Sequence, residues 1–183
     1  MSPETLPIYG NSILNVLSCN VVVGVPGTAS SQGPDPNRST SEIVAIWDTG
    51  ASGSVITQNV VNSLNLVPIS FTDVYAASSM VPIRRPVYLV DFYLPSRVVI
   101  AGLRVTLGEL SSADALIGMD VIVMGDFAIT NSTGVTKMTF RTPSTADIDY
   151  VKEAVPRQQR RHPDKGSGPQ PVAITNYKKR NRN

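Results

Sequence analysis

The sequence predicts an all-β domain, closed or sandwich-like, carrying one or two short helices. Short β-branched runs recur along the first ~150 residues, several alternate with period two, and helical spacing is confined to two brief stretches. "NVVVGV" (20–25) and "EIVAIW" (42–47) are the first clear strands. Between them, "PGTASSQGPDPNRSTS" (26–41) has the Pro, Gly, Ser and Asp content of a long exposed turn or loop. "TQNVVNSLNL" (57–66) places apolar residues at 60, 61, 64 and 66, the spacing of a short helix, and Pro68 ends any helical run. "PVYLVDFYLP" (86–95), "VVIAGLRVTLGEL" (98–110) and "KMTFRTP" (137–143) are again strands. "ALIGMDVIVMGDFAIT" (115–130) reads as a buried strand, a short helix and another strand. No repeat of fixed period is visible.

The 183 residues suit one ordinary domain with length to spare, and a 42% apolar fraction fits a globular chain. No segment approaches the ~18–20 uninterrupted apolar residues of a membrane span. The start, Met1-Ser2-Pro3-Glu4, lacks the basic and apolar regions of a secretory signal, so a cytoplasmic location is expected. Charge divides the chain. From Lys152 onward nine basic residues face Glu153 and Asp164, a net +7, which leaves −5 elsewhere within the overall +2. With four prolines and few large apolar residues, this basic tail is expected to be disordered and solubilising. Nucleic-acid contact is the sharper reading of it, yet Tyr177 is its only aromatic and it has no metal-knuckle cysteines. The expected organisation is an N-terminal segment (1–13), a folded domain (14–150) and the tail (151–183).

Two scarcities narrow the chemistry. His162, the sole histidine, lies in the tail, and Cys19, the sole cysteine, sits in an apolar-alternating run that suits a small core residue. A Ser-His-Asp triad, a Cys-His pair and an HExxH zinc site each need a positioned histidine in the folded part. No intrachain disulfide can form, and neither a metal nor a cofactor is expected. Carboxylates are the remaining reagents.

Asp48 stands out. It follows Ala45-Ile46-Trp47 at the end of a buried strand, where Thr49 and Gly50 break the pattern and permit a tight turn. On three letters alone, Asp-Thr-Gly reads better as an ordinary capped turn. The full stretch "AIWDTGASGSVI", however, resembles the active-site segment of the retropepsin-like aspartic proteases. "DALIGMDVI" (114–122), about 65 residues on, resembles their second signature, and "GDFAIT" (125–130) the strand that follows it in bacterial members. The resemblance spans residues 14 to 143. It implies a closed, single-lobe acid-protease barrel with Asp48 as the catalytic carboxylate. Thr49 would bond its counterpart across the site, Gly50 would bring a backbone amide to the carboxylate, and Ala51 and Ser52 would complete the loop, Ser52 hydrogen-bonding the Asp. Leu116 and Ile117 would pack behind the loop, with Gly118 allowing a close crossing. Asp120 is read as the N-cap of helix "VIVM" and Asp126 as a turn residue.

Such enzymes need two carboxylates sharing one proton, and this chain has a single Asp-Thr-Gly. The resemblance therefore implies a homodimer with one Asp48 from each chain, acting on a peptide or protein substrate, with no membrane partner. A flap is expected within "FTDVYAASSMVPIRRPVYLV" (71–90), with Ser78, Ser79 and Met80 near its tip. No glycine occurs between Gly53 and Gly102, a departure from the retroviral pattern, and an ordinary surface hairpin is an equal reading. The alternative function is a catalytically inactive retropepsin-fold module for dimerisation or protein binding.

Overall fold

The computed structural model describes residues 4–27, 29–30, 33–75 and 81–151. The chain divides into two units, Met1–Ala146 and Asp147–Asn183, and residues 147–151 are the described part of the second. The basic tail from 152 onward lies outside the described residues.

The strands of the first unit are β1 (Glu4–Tyr9), β2 (Ser18–Gly24), β3 (Ala29–Ser30), β4 (Gly33–Pro34), β5 (Thr40–Trp47), β6 (Val55–Ile56), β7 (Ser70–Val74), β8 (Ile83–Tyr93), β9 (Val99–Leu107), β10 (Ala115–Ile117), β11 (Asp126–Thr130) and β12 (Lys137–Thr142). Two short helices interrupt them, α1 (Gln58–Ser63) and α2 (Met119–Ile122), with one 3-10 turn at Pro95–Arg97. Six strands close a ring. β2 pairs with β5, β5 in parallel with β10, β10 with β6, β6 in parallel with β9, β9 with β8, and β8 returns to β2. Closure leaves no free edge in the ring, and β7 hangs on the outside of β8 as the second arm of a hairpin.

Period-two alternation fills the barrel. Val21 and Val23 of β2, Ile43, Ala45 and Trp47 of β5, and Tyr88 and Val90 of β8 point inward and are almost wholly buried. The predicted helix at 57–66 forms over Gln58–Ser63, burying Val60 and Val61. The expected loop at 26–41 carries the two-residue β3–β4 ladder, and Thr40 and Ser41 already belong to β5.

A second sheet, in the order β1-β12-β11, covers the barrel near the end of β5. It is antiparallel throughout, with β1 in register from Glu4↔Thr142 to Tyr9↔Lys137. Part of the N-terminal segment is thus built into this sheet. Pro7 disguises the strand in the sequence, but β1 is an edge strand, where a missing N–H is tolerated. Leu6, Met138 and Phe140 are fully buried in the common core. Phe140 and Phe127 flank the indole of Trp47 at 5.1 and 5.5 Å between ring centres, so the sheet clamps the residue directly before Asp48.

Candidate active site

Asp48 leaves the end of β5 with its backbone fixed. Its N–H donates to Ile117 O at 2.9 Å, continuing the parallel β5–β10 pairing that sets Leu116 beside Ile46 and Ile117 beside Trp47. The chain then turns, with Ala51 N donating to Asp48 O at 3.3 Å. Gly50 N donates to Asp48 Oδ1 at 2.8 Å, and a Cβ on Gly50 would stand only 3.1 Å from that oxygen. The carboxylate is half-buried, while Thr49, Gly50 and Ser52 are exposed and Ala51 is half-buried. Gly50's amide rather than Ser52's hydroxyl bonds the carboxylate: the turn leaves Ser52 facing outward, and among the described residues it makes no hydrogen bond to Asp48.

The second signature crosses directly beneath this loop. Ile117 is fully buried and Leu116 half-buried. Gly118 is buried against backbone: a Cβ there would lie 2.7 Å from Gly53 C, 2.8 Å from Gly53 O and 3.0 Å from Ala51 O. Its φ of −91° suits any residue, so space alone demands glycine. Met119 N donates to Ala51 O at 2.8 Å across the crossing.

Two residues tie the loop down: Ser54, not singled out in the sequence, and Asp120, read there only as a helix cap. Ser54, 1% exposed, donates its N–H to Asp120 Oδ2 at 2.9 Å and its hydroxyl to Asp120 Oδ1 at 2.7 Å. Ser54 Oγ in turn accepts from Gly118 N at 3.1 Å. The N-cap of α2 is Gly118, so Asp120 is not the cap read from the sequence; it lies in the first turn, where Oδ1 also accepts from Val121 N at 3.0 Å. Asp126, read as a turn residue, instead opens β11. It accepts hydrogen bonds from Ser144 Oγ first of all, then Thr145 N, Arg141 and Ala146 N, which together hold its carboxyl well below the usual range. The signal available for Ser54 and Asp120 was thin: a serine just before an apolar pair, and an acid two residues after the signature glycine.

An Asp-Thr-Gly loop closing a buried strand, crossed by a Leu-Ile-Gly strand inside a closed barrel, decides the architecture. The fold is the closed single-lobe barrel that the resemblance implies. Solved structures similar to this chain include a retropepsin-like aspartic protease from Rickettsia conorii, with TM-score 0.48 and 16% identity over 77% of this chain and 96% of that one. They also include an EIAV protease complexed with an inhibitor, with TM-score 0.38 and 16% identity over 59% of this chain and 86% of that one. No protein-family model matches the chain, and no curated protein sequence does.

The stretch expected to hold a flap forms the β7–β8 hairpin, in register from Ser70↔Val87 to Val74↔Ile83. Ser78, Ser79 and Met80 lie outside the described residues. Asp73 stands opposite Arg84, whose guanidinium sits 5.4 Å from the Phe71 ring centre, and Arg85 pairs with Glu109 at 3.0 Å. A cavity of about 790 Å³ is lined by Val44, Thr57, Asp114 and the 108–113 loop. It sits at the far end of the β5–β10 ladder from Asp48 and does not include that residue. Among the described residues no three His, Cys, Asp or Glu side chains converge to hold a metal ion, and no helix is long and apolar enough to cross a membrane. Cys19 is half-buried, and burial pushes its thiol up, partly offset by the 3.4 Å hydrogen bond from Trp47 Nε1.

Proposed function

We propose that the protein is an aspartic endopeptidase whose catalytic pair is Asp48 from each of two copies of the chain. One observation carries the reading. A half-buried carboxylate is held at the rigid end of a core strand, with Gly50 N–H on one oxygen and an exposed Thr49-Gly50 tip beside it. A structural turn Asp has no need of an exposed tip, whereas a half-site awaiting its symmetry mate does. Two such carboxylates at close quarters share one proton, because both cannot ionise cheaply. The ionised one takes a proton from a water molecule as its oxygen attacks the scissile carbonyl carbon. The protonated one gives its proton to the carbonyl oxygen, so that the adduct is a neutral tetrahedral diol. Proton transfer to the amide nitrogen then breaks the C–N bond, releasing a carboxylic acid and an amine. The substrate is an extended peptide or an unfolded protein segment, with the β7–β8 hairpin as the candidate cover.

The test compares wild type with Asp48→Asn, both checked for dimer formation, on an unfolded protein mixture from acidic to neutral pH. Cleavage by wild type alone is expected. Equal cleavage by both, or none by either across that range, sinks the proposal. If wild type dimerises but never cleaves, the inactive binding module takes its place.

A further inference from the structure

We infer that Ser54 and Asp120 form a positioning pair that fixes Asp48 for the reaction, a role that rests on Asp48 being the catalytic carboxylate. The loop is stitched to residues 117–120 at three successive points: Asp48 to Ile117, Ala51 to Met119, and Ser54 to both Gly118 and Asp120. The first two are backbone bonds that almost any sequence could make. The third is made by side chains, so it is the point at which the sequence specifies how the loop leaves the site.

Its hydrogen-bond polarity is fully determined. Asp120 acts only as an acceptor: Oδ2 takes the Ser54 N–H, and Oδ1 takes the Ser54 O–H and the Val121 N–H. Because the hydroxyl proton is committed to Asp120, Ser54 Oγ is free to accept from Gly118 N–H, the amide of the glycine at the crossing. Asparagine at 120 would have nearly the same shape but cannot reproduce the set. In one amide orientation its NH2 faces the Ser54 N–H; in the other it faces the Val121 N–H. Either way two donors oppose each other and one backbone amide is left unpaired. The pair therefore requires a carboxylate at 120 and a hydroxyl at 54. Ser54 is nearly inaccessible, so solvent does not replace what is lost.

The experiment measures kcat and KM for wild type, Ser54→Ala, Ser54→Thr, Asp120→Asn and the Ser54→Ala/Asp120→Asn double variant, with Asp48→Asn as the reference for loss of chemistry. Circular dichroism and denaturant unfolding establish the folded fraction of each. Positioning predicts that Ser54→Ala and Asp120→Asn each lower kcat by roughly 10- to 100-fold, the scale of a misplaced reacting group, while KM moves less than about threefold. The double variant is expected to be no slower than the slower single one, since both break one unit. Ser54→Thr, which keeps the hydroxyl, recovers part of what alanine loses. The inference is overturned if the folded single variants keep kcat within about threefold of wild type, if their losses multiply in the double variant, or if the loss merely follows the unfolded fraction. Should Asp120→Asn not fold, the Ser54→Ala and Ser54→Thr pair reads the same quantity. Activity surviving in Asp48→Asn would instead reject the protease reading itself.

Discussion

Replacing Gly118 by alanine would add one methyl group where the second-signature strand passes under the Asp48 loop. The new carbon would sit 2.7 Å from Gly53 C, against the 3.4 Å at which ordinary contact begins, a shortfall of about 0.7 Å. Gly53 O and Ala51 O crowd it from the same side at 2.8 and 3.0 Å, so no side chain can rotate away and backbone must move. Overpacking typically costs 1–3 kcal/mol, and contacts that are all backbone put this case at about 2–3 kcal/mol. For a chain of this size that lowers the unfolding midpoint by about 5–10 °C. The loop that yields is the one carrying Asp48. Since a displacement of 1 Å costs about 100-fold in rate, kcat should fall roughly 10- to 100-fold even where the protein stays folded. Thermal unfolding and cleavage of an unfolded substrate below the variant's midpoint measure the two effects. Gly134→Ala is the control: φ there is +76° with nothing within 4 Å, so it should cost only the ~1–2 kcal/mol of a left-handed alanine and leave kcat alone. A Gly118→Ala protein within about 0.5 kcal/mol of wild type, cleaving at the same rate, would refute the crossing as the reason for glycine.

Three further outcomes follow from the geometry. Trp47→Ala removes the indole held between Phe127 and Phe140 and should cost about 3–5 kcal/mol by denaturant unfolding; a loss under about 1 kcal/mol would mean that this packing does not anchor β5. Asp126 has a folded pKa depressed below the ordinary ~3.9, so its stabilisation is present above that value and drains away as pH falls through the folded one. The stabilities of wild type and Asp126→Asn should thus differ at pH 6 and converge in acid, and parallel curves would count against the clamp. The proposed reaction uses two carboxylates and a water and routes no step through a metal, so cleavage should persist in excess chelator; inhibition reversed by added metal would contradict it.

The fold was legible where chemistry is written locally. Alternation in "NVVVGV" and "EIVAIW" marks β2 and β5 because a barrel wall has one wet and one dry face. Asp48, Thr49 and Gly50 stand out because a carboxylate after a buried strand is rare and the turn needs adjacent residues. What escaped depends on distant partners. Ser54 and Asp120 meet across 66 residues, and neither carries a mark of the other in its own neighbourhood. Asp126 follows Gly125 as a turn residue would, yet its partners lie 15 to 20 residues downstream, where the chain leaves β12. β1 was hidden by Pro7, since a proline argues against a strand unless the strand is known to lie at an edge.

Under the dyad reading both carboxylates are the same residue, so every change to Asp48 or its supports enters the site twice. Mixing experiments turn this into a quantitative test. Wild type and Asp48→Asn chains, unfolded together in equal amounts and refolded, would pair at random. About a quarter of the dimers would then carry two Asp48 carboxylates, half would carry one, and a quarter none. If the reaction needs both, activity per total chain falls to about a quarter of the all-wild-type preparation; if each chain worked alone, it would fall only to about a half. Varying the ratio sharpens the distinction, because the first case follows the square of the wild-type fraction and the second follows it linearly. A linear dependence, with subunit exchange shown to be complete, would place the whole active site within one chain and remove the reason to expect a partner.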